Sequence, residues 1–156
     1  MTVLKGIPSI LPPELLLALA KMGHGDELVL ADANFPAESV GASTPCSVIR
    51  CDALGMPELL SAILKLLPLD ETSCPCALMD LMPEHKAAGW QTPIWEQYRA
   101  IVAENEKRTV DFELVERFAF YERAKKAFVV VATGEQALYA NLILKKGVIG
   151  STGAAS

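Results

Sequence analysis

Only two histidines occur among 156 residues, and one of them, His24, stands between glycines in the stretch Met22-Gly23-His24-Gly25-Asp26-Glu27. A helix ending just before it brings partially negative backbone carbonyls to the imidazole. Such a site favours the imidazolium, a proton donor near neutral pH. The flanking glycines carry no side chains to crowd a ligand. Asp32 follows eight residues on, where a short apolar run ends, and ligands of open α/β sheets gather at the carboxyl ends of strands. The same spacing also fits a plainer arrangement, in which His24 caps carbonyls and Asp32 closes a turn with Asn34. A metal site built from His24, Asp26 and Asp32 is a further alternative, weakened because no second histidine stands at a ligand spacing.

A second polar group lies in the last third of the chain. Arg117 and Tyr121 are four apart in RFAFYERAKKAF, on one face of a helix. Tyr139 and Asn141 are two apart where a strand begins, so they point the same way. Phenol and imidazole both give and take protons, while guanidinium, carboxylate and amide supply donors and acceptors for a polar ligand. The ordinary reading of these residues is a tyrosine at a core edge with its hydroxyl in water, and Arg117 paired with Glu113 or Glu116. No Gly-x-Ser-x-Gly, no cysteine with a placed histidine and no glycine-rich phosphate loop occurs, so nucleophilic hydrolysis, nucleotides and redox cofactors find no support and no cofactor is expected. Cys74-Pro75-Cys76 has the wrong spacing for a zinc knuckle.

The elements that must position these residues alternate in type. Pro12-Pro13-Glu14 opens a helix whose apolar face is Leu15, Leu16, Leu19 and Met22, with Gly23 stopping it through a positive φ. Strands are expected over 27–31, 47–51, 76–82, 111–116, 128–133 and 141–146, and helices over 57–67, 93–106 and 117–127, with 83–92 left without an assignment. Strands alternating with helices imply an α/β sheet covered on both faces, and the continuous apolar runs suit that burial. One domain is expected over 1–149, followed by a flexible tail at 150–156 of small and polar residues.

Net charge is −5, and the short runs Lys125-Lys126 and Lys145-Lys146 do not make a phosphate-binding patch, so nucleic acid is not an expected partner. No apolar run reaches the ~20 residues of a membrane span. The LLLALA stretch lies between Glu14 and Lys21 with no cleavage site after it, which reads as a helix and not an export signal. A cytoplasmic setting with reduced cysteines follows as the expectation. Hydrophobic residues make up 51% of the chain with a mean hydropathy of +0.29, a surplus best placed in a subunit interface. A homo-oligomer is therefore expected.

MGHGDELVLADANFP, RFAFYERAKKAF and TGE…LYAN, in that order, together with LLPLD at 66–70 and QTPIWEQY at 91–98, resemble the family of fucose mutarotases and ribose pyranases, above all its vertebrate type. The resemblance spans about Leu4 to Val148. It implies a three-layer α/β/α domain around a mixed, mainly parallel sheet, assembled into rings, often decamers, in which neighbouring subunits jointly shape each site. It implies a cofactor-free interconversion of the anomers of L-fucose, with ribose pyranase activity as the kindred reaction and a non-catalytic sugar-binding or scaffold protein as the alternative. It implies His24 as proton donor, and Tyr121, whose phenol can give and take a proton, is expected as its acid/base partner. Asp32, Arg117, Tyr121, Tyr139 and Asn141 are implied to line the sugar pocket, and Asp70 and Met79 to contribute to it. Where family members carry Asp-Gly-Leu this chain has Asp52-Ala53-Leu54, and Ala53 would be strained if that turn demanded a positive φ.

Overall fold

The computed structural model describes residues 3–150. The expected tail, apart from Gly150, lies outside the described residues. The elements are α1 (Pro13–Lys21), β1 (Glu27–Ala31), α2 (Ala37–Gly41), β2 (Val48–Cys51), α3 (Met56–Leu64), β3 (Cys76–Met79), α4 (Pro83–Ala87), α5 (Pro93–Glu106), β4 (Phe112–Val115), α6 (Arg117–Lys125), β5 (Val129–Thr133) and β6 (Leu142–Lys145). Six strands form one sheet in the order β2-β5-β1-β6-β3-β4. The pairs β1–β5, β2–β5 and β3–β4 are parallel, while β6 runs antiparallel to both β1 and β3. The sheet is thus mixed and mainly parallel.

Each central strand feeds two cores, because successive side chains point to opposite faces. Leu28, Leu30, Val129, Val131, Leu142 and Leu144 pack with α1, α3 and α5. Val29, Ala31, Val130, Ala132 and Ile143 pack with α2 and α6 on the other face. Helices therefore cover both sides, and the continuous apolar runs 28–31 in β1 and 129–132 in β5 are the mark of strands with no wet face. Among the described residues, no helix is long and apolar enough to cross a membrane.

Several local expectations are corrected. Helix α1 stops at Lys21 with Met22 as an extended C-cap, and Gly25 at φ +88° makes the left-handed turn, not Gly23. The carbonyls of Leu19 and Met22 accept hydrogen bonds from Lys146 Nζ at 2.8 and 2.5 Å, so a lysine and not His24 satisfies this helix end. Helix α3 ends at Leu64, short of Leu67. The five-residue helices α2 and α4 were not expected, since so few residues show no period. Ala53 is not in the left-handed region, so the Asp52-Ala53-Leu54 turn stores no strain there. Residues 139–141 precede β6, and Tyr139 itself sits at φ +57°.

Candidate active site

The carboxyl ends of β1 and β3, the start of α6 and the segment before β6 meet at one end of the sheet's strands. Asp32 follows β1, Met79 closes β3, Arg117 and Tyr121 lie one turn apart on α6, and Tyr139 and Asn141 lead into β6. All six line a single cavity of about 280 Å³, a volume at the small end of ligand pockets. Tyr121 stands 5.6 Å from the Phe35 ring and 6.4 Å from Phe118, centroid to centroid, which gives the cavity an aromatic wall.

Asp32 is buried, at 6% exposure. Loss of solvent pushes its carboxyl above the usual carboxylate range, opposed by the backbone N–H of Asn34. Its Oδ1 accepts that N–H at 3.0 Å, so the turn with Asn34 and the place in the cavity coexist. The Asp32 backbone N–H donates to Asn141 Oδ1 at 2.8 Å, which fixes the Asn141 amide and turns its NH2 away from the β1 backbone. Neither expected partner takes Arg117. Glu113 pairs with Arg123, and Glu116 accepts the Ala119 N–H as the cap of α6. Arg117 instead rests on Met82 Sδ at 3.4 Å, with its guanidinium 4.7 Å from the Phe118 ring centroid.

The Tyr139 segment is held from several sides. The Tyr139 carbonyl accepts from Trp95 Nε1 at 2.7 Å, and the Ala140 carbonyl accepts from the buried Tyr98 hydroxyl at 2.7 Å. The Tyr139 hydroxyl accepts the Met82 N–H at 3.1 Å and lies 2.5 Å from His85 Nδ1. His85 and Trp90 also line the cavity. Neither was expected from sequence. The available signal was that His85 is the other of only two histidines, but it falls in a stretch with no readable period.

His24 and Asp70 are placed elsewhere. They lie at the amino end of β1, and that five-residue strand alone keeps them roughly 17 Å from the cavity of their own chain. His24 Nε2 is 3.1 Å from Asp70 Oδ1. The imidazole is half exposed and the carboxylate buried. Ser73 Oγ donates to Asp70 at 2.7 Å, and this bond, with those from His24 and Thr72, holds the carboxyl well below its usual range. The pair opens onto a second cavity of about 830 Å³ whose lining includes Arg108 and Val148. Asp26 accepts the Gly23 N–H. His24, Asp26 and Asp32 therefore do not meet, and among the described residues no three His, Cys, Asp or Glu side chains are grouped to hold a metal. Cys46, Cys51, Cys74 and Cys76 are free thiols.

The chain is similar to several known proteins. The RbsD / FucU transport protein family matches residues 5–149. Fucose mutarotase of Mus musculus is 58% identical over 150 residues, covering 96% of this chain and 97% of that protein. The structure of FucU from Bifidobacterium longum matches with a TM-score of 0.87 at 51% identity, covering 94% of this chain and 100% of that one. Fucose mutarotase from Streptococcus pneumoniae, solved in complex with L-fucose, matches with a TM-score of 0.84 at 44% identity, covering 94% and 100%.

Proposed function

The chain belongs to the RbsD / FucU transport protein family, and from that premise we propose that it is a sugar mutarotase, an isomerase that interconverts the α and β anomers of L-fucose. The observation that carries this reading is the convergence of Asp32, Arg117, Tyr121, Tyr139 and Asn141 on one small cavity, in a chain 58% identical to a fucose mutarotase.

Mutarotation breaks the bond between the anomeric carbon and the ring oxygen, turns the aldehyde, and closes the ring on its other face. A proton leaves the anomeric hydroxyl while another reaches the ring oxygen. No electrons are gained or lost, so acid/base groups suffice. Asp32 and Asn141 hold sugar hydroxyls, Arg117 adds forked donors, and Met79 with Phe35 and Tyr121 forms an apolar wall. Tyr121 exchanges a proton with one sugar oxygen and His24 donates to the other.

One chain holds the cavity and His24 at opposite ends of β1, so the donor comes from a neighbouring copy. Each copy's His24–Asp70 pair seats over the next copy's cavity in a closed ring, a head-to-tail contact that closes by rotation. Exposed Trp90, Phe118 and Leu138 at the cavity end, and exposed Val148 and Ile149 beyond β6, supply the apolar surface such a contact buries. A decamer is the assembly that the family resemblance implies. Free cysteines throughout suit a cytoplasmic setting.

Exchange spectroscopy by NMR on equilibrated L-fucose tests the reaction. The protein is expected to speed anomer exchange well above buffer, and His24→Ala and Tyr121→Phe are each expected to slow it on the order of a hundredfold. Exchange at the wild-type rate in both variants would overturn the assigned roles. D-Ribose run in parallel reads the discrimination between the two sugars.

A further inference from the structure

His85 has no part in the mechanism above, yet it makes the shortest polar contact at the cavity. Tyr139 explains why that contact matters. Its backbone lies at φ +57°, a region that a bulky residue enters only where its surroundings hold it. The carbonyl anchor from Trp95 fixes the backbone, and two groups fix the hydroxyl. A phenol has one proton and, in the plane of its ring, one good lone pair. The Met82 N–H takes the lone pair at 3.1 Å. The proton then points to His85 Nδ1 at 2.5 Å.

His85 is itself clamped. The Trp90 indole stacks on its imidazole at 3.6 Å between centroids and 8° between planes. The Trp90 N–H donates to the His85 carbonyl at 3.1 Å, across a turn made by Gly89 at φ +77°. The chain thus folds back after α4 so that one aromatic face holds one imidazole against one phenol.

Building on the mutarotase reading, we infer that His85 is a positioning residue for the reaction: its Nδ1 accepts the Tyr139 hydroxyl proton and fixes the phenol oxygen over the sugar cavity, with Trp90 as the clamp. With its proton and its in-plane lone pair both committed, Tyr139 meets the sugar as a fixed wall of the cavity and not as a proton donor. Proton donation falls to the other groups of the site.

Two substitutions separate the hydrogen bond from the packing. His85→Phe keeps a ring against Trp90 and removes the acceptor. His85→Asn places Oδ1 where Nδ1 was and removes the ring. Initial rates of anomer exchange over a range of L-fucose concentrations, on variants with wild-type circular dichroism, are expected to show H85F losing about tenfold in kcat with KM within about twofold. H85N is expected to recover most of that loss. In a Tyr139→Phe background, H85F is expected to have no further effect, because the two residues act as one unit. The opposite order, with H85F near wild type and H85N impaired, marks a packing role and overturns the inference. So does a loss from H85F that persists undiminished in the Tyr139→Phe background. A wild-type protein with no exchange above buffer would overturn the mutarotase reading and this inference together, whereas wild-type exchange that ignores H85F overturns this inference alone.

Discussion

Asp32 and Asp70 are buried carboxylates whose environments push them in opposite directions, and each gives a prediction with its own sign. Burial raises the Asp32 carboxyl above its ordinary 3.8, so the folded state holds this proton more tightly than the unfolded chain. Asp32 therefore weakens the fold as pH rises through the interval between 3.8 and its raised value, and it leaves the protein less stable at pH 7. Asp32→Asn keeps the acceptor for the Asn34 N–H and removes the charge. It is expected to raise the melting temperature at pH 7 but not at pH 3, while slowing anomer exchange by at least about tenfold. Asp70 is lowered by its bond from Ser73. Its contribution is present above 3.8 and is lost as pH falls through the lower folded value. Asp70→Asn is accordingly expected to lower the melting temperature at pH 7, with the deficit shrinking toward pH 2, and to slow exchange about tenfold by freeing His24. Thermal unfolding at the stated pH values checks both signs. At this scale the residue types and the local turn of Asp32 with Asn34 were legible, and the distant partners were not. Asp70 is 46 positions from His24, and no local pattern joins them.

Strand β1 is the element that organises the site, because it presents Asp32 at one end and follows the His24 turn at the other. Its apolar run ELVLA was readable to the residue, as was α5 from Pro93 to Glu106, where a proline opens a helix of several turns. The end of α1 was not readable. A lysine after the last strand, 124 positions from Met22, occupies the carbonyls that a sequence reading gives to the nearby His24. Lys146→Met keeps the apolar stem and removes the charged donor. It is expected to destabilise the protein by about 1–2 kcal/mol in urea unfolding. An unchanged midpoint would show that water replaces the lysine without loss. Helices α2 and α4 escaped notice because five residues make less than two turns, too few for a period to emerge.

For the whole molecule, the proposed donor role of His24, at the far end of β1 from the cavity, requires a second copy of the chain. His24→Ala and Tyr121→Phe subunits are each expected to be nearly inactive alone. Co-assembled in equal amounts they are expected to regain activity, with about one site in four combining an intact donor and an intact cavity. No recovery in mixed assemblies would place both groups in one chain's site. Sedimentation is expected to show a species larger than a monomer, and a monomer at all concentrations would remove the shared site altogether.

By itself the sequence determined the alternation of strands and helices, the burial of the sheet on both faces and the polar residues around Asp32 and on α6. These are carried by local periods and short motifs, which a linear reading can see. Only the tertiary structure decided which of those residues meet. The sheet order sets β1, β6 and β3 side by side, so that their ends meet α6 at one end of the strands, leave His24 at the other, and lay His85 against Tyr139. Such contacts join positions far apart in the chain, and they exist only after the sheet has chosen its neighbours.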